Sequence, residues 1–334
     1  MRSTSIVSIR VVTLATIAAA LGSMIGGNAV LAGDPPPAGT VIATIAADTS
    51  NGELAFGDGA LWLADAGDTL QRIDPSSNLV VATIPVGCCI FHGVAYGDGS
   101  VWVSNFVDNT IDRIDPVTNT VTAVIPTVGL APEGIAVTPD AVWVADHHGN
   151  PTGAVDRIDP VTNTVVASIP VGAHRFCCGP QGIVAAAGAI WVGVPNQFGV
   201  ARIDPTTNTL VTLIQTGTAS PQAQDQSSCG ALASAGGAVW SADGGCNPSH
   251  LWRIDPSTNA VAGFVTPGSI PSSLASGFGS LWVTVRNGLA RVDPVTGANV
   301  GWLSLAKNTA TDVAVGAGSV WLTTPKGVLR IQPS

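Results

Sequence analysis

His92, Glu133 and Gln181 each stand ten positions before a tryptophan, at Trp102, Trp143 and Trp191, while the equivalent places elsewhere hold only Gly52, Gly230, Ser272 and Thr311. An imidazole beside a carboxylate can serve as base and acid. Glutamate and aspartate oxygens can instead hold a hard cation such as Mg²⁺ or Ca²⁺. Glu133 is one of only two glutamates in the chain. A second set, three residues after each of the seven periodic tryptophans, reads Asp65, Asn105, Asp146, Val194, Asp243, Val285 and Thr324. Two readings stay open for these positions. One is a binding or catalytic site with His92 and Glu133 as catalytic candidates and Gln181, Asp65, Asn105, Asp146 and Asp243 as further ligand-binding residues. The other is a hydrated polar funnel whose Asp and Asn side chains cap strand ends.

The remaining histidines are His147, His148, His174 and His250, and the cysteines are Cys88, Cys89, Cys177, Cys178, Cys229 and Cys246. His147 and His250 join the ligand-binding candidates. His147 and His148 would point to opposite faces of a continuing strand, which argues against them as a metal pair. No Ser-His-Asp spacing, phosphate loop or His-x-x-x-His zinc motif is present. Six cysteines in an exported chain are read as paired, with Cys229 to Cys246 the expected bridge. Cys88, Cys89, Cys177 and Cys178 stay open between cross-links, strained adjacent pairs and a thiolate site for a soft metal.

The elements that must position these residues come from a repeat. Trp62, Trp102, Trp143, Trp191, Trp240, Trp282 and Trp321 follow one another at steps of 40, 41, 48, 49, 42 and 39 residues. Each copy reads as a short apolar strand, a tight turn, a "VWV" strand, a variable loop, a strand ending "RID", the turn "PVTN" and a strand like "VVATIPVG". Four short antiparallel strands in a period near ~42 residues define a β-propeller blade. Seven copies predict an all-β, seven-bladed propeller over residues 40–334. The last copy lacks a fourth strand, and "TVIATIA" at 40–46 supplies it, so the N-terminal strand is expected to close the ring. The repeat absorbs the seven tryptophans as packing between blades. It also absorbs Arg72, Arg113, Arg157, Arg202, Arg253, Arg291 and Arg330, with an Asp two residues after all but the last, as a structural ladder in which Asp caps the turn.

Strand one then lines the channel and begins at one face, the top, where all five histidines and all six cysteines are placed. Bottom turns are set by the repeat, so part of this one-sidedness is automatic.

The chain has 334 residues, 46% hydrophobic and 10% charged, with a net charge of −9. Arg2 and Arg10 precede an apolar run from Val11 to about Ile25, which is read as a secretory signal peptide over 1–32, followed by a linker over 33–39. Removing those two arginines leaves 11 basic against 22 acidic residues, about −11. Such a protein repels phosphate backbones, which argues against nucleic acid as a partner. No further stretch is long and apolar enough to span a membrane. A freely soluble monomer, secreted or periplasmic, is expected.

The units "VWVSNFVDNTIDRIDPVTNTVTAVIPTVG" and "VWVADHHGNPTGAVDRIDPVTNTVVASIPVG" resemble the YVTN-type β-propeller repeats of exported bacterial proteins, and more loosely the virginiamycin B lyase group. The latter resemblance implies Mg²⁺-assisted opening of a cyclic depsipeptide ester by His and Glu near the channel mouth. That group carries a "WFTE"-like second strand, whereas the matching stretches here are "WLAD", "WVSN", "WVAD", "WVGV", "WSAD", "WVTV" and "WLTT". No catalytic residue is therefore carried over. The favoured function is an exported propeller that binds a small molecule, peptide or protein through its top face. The alternative is a metal-assisted lyase or hydrolase.

Overall fold

A computed structural model describes residues 35–49, 52–65, 67–87, 93–148, 153–172, 179–197, 199–216, 230–242, 250–305 and 310–334. The expected leader, His92, His174, Asp243 and all six cysteines lie outside them, and with them the Cys229 to Cys246 bridge.

Seven four-stranded antiparallel sheets follow the seven copies of the repeat. In each, the first strand neighbours the first strands of the two adjacent blades, and the contacts run all the way round, so the sheets form a closed ring. The seven-bladed propeller read from the tryptophan period is the fold. Among the described residues the only helical turn is a 3₁₀ turn at Pro195–Gln197.

The joints between blades explain why the repeat is so faithful. All seven periodic tryptophans are fully buried. Each packs on the second strand of the next blade: Trp62 with Val101 and Val103, Trp102 with Val142 and Val144, Trp143 with Ile190 and Val192, and so on to Trp321 with Leu61 and Leu63. Six of the seven indole N–H groups donate to a carbonyl five residues earlier, and Trp143 donates to Thr138 Oγ1. That removes the cost of an unpaired buried donor.

Below each tryptophan the "RID" arginine does more than the expected ladder. The aspartate caps its own turn, as Asp115 does for Val117 N and Asp159 for Val161 N, each through Oδ1. The arginine instead crosses to the next blade. Arg72 donates to Pro116 O at 2.6 Å and Asn119 Oδ1 at 3.1 Å, and Arg330 donates to Pro75 O and Asn78 Oδ1. In six blades its guanidinium also lies over the tryptophan of its own blade, 4.8 to 5.3 Å from the ring centre. The turn asparagine is held at a positive φ, 54° at Asn119 and 53° at Asn163, a region Asn tolerates better than most residues. It therefore ends one blade's turn and anchors its neighbour. The sixth blade has Gly297 in that place. Arg202 and Arg253 each keep a buried Nε without a partner, where Arg113, Arg291 and Arg330 donate from Nε to Ser100, Ser280 and Ser319.

Ring closure uses Gly39–Ile45, paired antiparallel to Gly327–Pro333 from Gly39↔Pro333 to Ile45↔Val328. The contact extends further toward the N-terminus. Residues 36–38, read from sequence as linker, run beside Asn299–Ser304 of the sixth blade. Trp302 N donates to Pro36 O at 2.9 Å and Ala38 N donates to Trp302 O at 3.1 Å. The first described residues thus touch two blades at once.

Candidate functional site

Among the described residues, the inner wall of the ring includes the positions ten and nine residues before the tryptophan, at or near the start of each first strand. In three adjacent blades the second of these is glycine, because the backbones nearly touch. A Cβ at Gly93 would sit 2.0 Å from Glu133 O, one at Gly134 would sit 2.3 Å from Gln181 O, and one at Gly182 would sit 2.1 Å from Gly230 O. The first, sixth and seventh blades hold Glu53, Ser273 and Asp312 at that place. There the wall is joined by side chains: Asp312 Oδ1 accepts from Ser273 Oγ, and its Oδ2 accepts from Leu54 N at 2.6 Å. One side of the channel is closed by glycine contacts and the opposite side by carboxylates.

Glu53 is solvent-exposed at the first position of its strand, next to Leu54, whose N–H donates to Asp312 Oδ2. Desolvation pushes its carboxyl well above the usual glutamate range, and the nearby charges of Asp312 and then Glu133 push it further. Asp312 is also raised by burial, against the opposing effect of Ser273 and the Leu54 and Val313 amides. The charges of Asp312 and Glu133 therefore both act on Glu53.

Glu133 is aimed by a local irregularity. Its strand, Leu130–Thr138, pairs Pro132 with Asp146 and Ile135 with Val144. Two residues, Glu133 and Gly134, thus face the single Ala145, a β-bulge of the kind that re-aims a side chain. Just before it Ala131 takes a φ of 58°, a strained value for a residue with a Cβ. Ala131 N donates to Asn109 Oδ1 at 2.8 Å. Ser104 Oγ donates to Glu133 O at 2.7 Å.

The Glu133 carboxylate meets His147, whose Nδ1 lies 2.7 Å from Oε1, the two side chains being 16% and 11% exposed. The carboxylate on Nδ1 fixes the orientation of the imidazole ring. The strand Ala141–His148 does continue through both histidines, as the sequence reading assumed. Their rings nevertheless come together, 4.5 Å apart at the centres, and both meet Phe106 edge-on. His148 is the last residue of its strand, in register with Leu130.

The first ring of candidates is thus partly assembled: Glu133 and Gln181 stand at the mouth, and a Cβ on Gly230 would lie 3.3 Å from Gln181 Oε1. The second ring is corrected. Asp65, Asn105 and Asp146 are at most 1% exposed and do not line the mouth. Side chains of a second strand stand perpendicular to the sheet, toward the adjoining blades, and only the innermost strands border the channel. Asp65 caps its hairpin, accepting from Gly67 N, Thr69 Oγ1 and Gln71 Nε2. Asn105 donates to Thr110 Oγ1. His250 lies away from the mouth, in a cluster with Trp252 and Phe264.

Sequence reasoning missed Glu53, Asp312 and the Glu133 to His147 pairing. The first two were visible as the charged exceptions at a register where four blades carry Gly or Ala. Counting from the tryptophan could not show the third, because the bulge shifts strand one against strand two. Mg²⁺ and Ca²⁺ ask for six or more oxygen ligands. Among the described residues no three His, Cys, Asp or Glu side chains gather to hold a metal ion, and Glu133 is already committed to His147. These residues do not fit a divalent cation.

No protein-family model matches the sequence, and no curated protein matches it. Among solved structures the computationally designed Ika8 protein is similar, with a TM-score of 0.62 and 12% identity over 89% of this chain and 100% of that one. At that identity the likeness concerns the fold alone. No helix among the described residues is long and apolar enough to cross a membrane.

Proposed function

We propose that this is an exported propeller that binds a positively charged ligand, an organic amine or the Lys or Arg side chain of a peptide or protein, in the top mouth of its channel. The supporting observation is the acidic set Glu53, Asp312 and Glu133 along the inner wall: desolvation first, and then the repulsion of Asp312 and Glu133, raise the Glu53 carboxyl. A cation entering there relieves that repulsion, and desolvation strengthens the attraction relative to bulk water. The charge layout agrees: seven of the chain's 13 basic residues occupy the "RID" slot. Export rests on the Arg-flanked apolar leader, and the protein is read as a monomer outside the cytoplasm. The YVTN-type repeat resemblance agrees with this setting.

Spermidine is a suitable probe because it is slender and polycationic. It is expected to raise the melting temperature of the protein, and Glu53→Gln is expected to weaken binding about tenfold or more. Equal binding by Glu53→Gln, or a response to salt alone, would contradict the proposal.

One observation favours a second reading. A histidine oriented by a carboxylate at 2.7 Å is the arrangement of a general base, so the pair would serve a lyase or hydrolase. If turnover of a cyclic depsipeptide ester is found, His147→Gln should reduce kcat about 10²-fold or more. Unchanged kcat would remove the pair from the chemistry.

A further inference from the structure

In the first three blades the residue three after the tryptophan and the residue before the "RID" arginine are diagonal neighbours on one face of the hairpin: Asp65 with Gln71, Asn105 with Asp112, and Asp146 with Asp156. The first two pairs combine an acid with an amide, and Gln71 Nε2 donates to Asp65 Oδ2 at 2.6 Å. The third pair is two acids. Both are wholly buried. Asp156 Oδ2 accepts from Val128 N at 2.6 Å and Gly129 N at 3.3 Å, the crossing from the second blade to the third. Asp146 Oδ1, Asp146 Oδ2 and Asp156 Oδ1 have no donor.

Two buried carboxylates side by side without a donor or cation between them are too costly to persist. We infer that Asp146 and Asp156 share one proton at neutral pH, carried by Asp146 and donated to Asp156 Oδ1, making this corner of the second and third blades a pH-sensitive joint. The assignment of the proton follows from the hydrogen bonds: the amides of Val128 and Gly129 favour charge on Asp156, and nothing favours it on Asp146. A cation is disfavoured because those N–H groups point their positive ends at the same carboxyl.

Burial first, and then the charge of Asp156, raise the Asp146 carboxyl well above the aspartate range. The second blade meets this corner with Ser104, Asn109 and Ile111, none of which titrates. On the channel side stand Glu133 and His147, bonded to each other, and His148. The fourth blade approaches with Pro180 near Gly153 and the apolar Val194. Because the folded protein keeps a proton that the unfolded chain releases near pH ~4, stability must fall as pH rises from there through the raised value.

The test is Asp146→Asn, which restores the acid–amide pairing of the neighbouring blades. Its melting temperature is expected to match the parent at about pH 4.5 and to exceed it by several degrees at about pH 8.5. The carboxylic C=O stretch assigned to Asp146 should vanish from the infrared difference spectrum at neutral pH. Asp156→Asn should flatten the pH dependence in the same way. A constant difference across pH would overturn the inference. So would Mg²⁺ or Ca²⁺ stabilising the parent but not the variant, or failure of both amide variants to fold.

Discussion

A chain beginning at residue 47 should not fold to a stable ring. It would lack Gly39–Ile45, the six register pairs that join it to Gly327–Pro333, and the packing of Ala38 and Ile45, which are 0% and 2% exposed. Burying an isoleucine contributes about 1.5–3 kcal/mol, and each hydrogen bond contributes a net ~0.5–1.5 kcal/mol. Together the loss is on the order of the whole stability of an ordinary domain, roughly 5–15 kcal/mol. Two further costs follow. The edge of Gly327–Pro333 is laid open, which invites association with other chains, and the anchor of residues 36–38 on Trp302 is lost. Expected outcomes are loss of cooperative melting and aggregation, with recovery of a melting transition when a peptide of residues 35–47 is supplied. Unchanged melting after truncation would mean that the seventh blade is stable with three strands.

The second large effect is Trp102→Ala. Trp102 is fully buried between the second and third blades, against Val142, Val144 and Ile158. Truncation of a buried aromatic costs about 3–5 kcal/mol, and here it also leaves Gly97 O without its indole donor. The neighbouring Arg113→Ala should cost less. Its guanidinium is partly solvated, with a side-chain exposure of 21%, and its loss removes a ring contact at 4.9 Å and the hydrogen bonds to Pro160 O and Asn163 Oδ1. Chemical denaturation of the two variants decides the ranking. A larger loss for Arg113→Ala would mean that the polar clamp, rather than the apolar joint, holds the blades together.

Those two joints are also why so much of the fold was legible. A tryptophan that must fill the same gap seven times, and an Arg and Asn that must meet across the next joint, leave a period that survives every change in the loops. The closing strand was readable for the same reason, since one copy lacked what the N-terminal stretch supplied. The candidate site obeys no such repetition. Glu53 and Asp312 were readable as exceptions to a small-residue register. The pairing of His147 with Glu133 was not, because a bulge at Glu133 and an extended hairpin in one blade bring together residues that the common alignment separates. Asp65, Asn105 and Asp146 were misplaced because period-two alternation says which side of a strand a residue takes, and here both sides face neighbouring blades.

The claim that the channel mouth binds a cation is tested most directly by calorimetric titration of spermidine at about pH 6, in two buffers of different ionisation enthalpy. Desolvation first, and then the charges of Asp312 and Glu133, raise the Glu53 carboxyl, and an arriving cation lowers it again, so binding should release protons from this site. The expected result is binding heat that differs between the buffers, affinity that rises with pH, and loss of both dependences in Glu53→Gln. Buffer-independent heat, or affinity unchanged by Glu53→Gln, would place any cation binding somewhere other than this mouth.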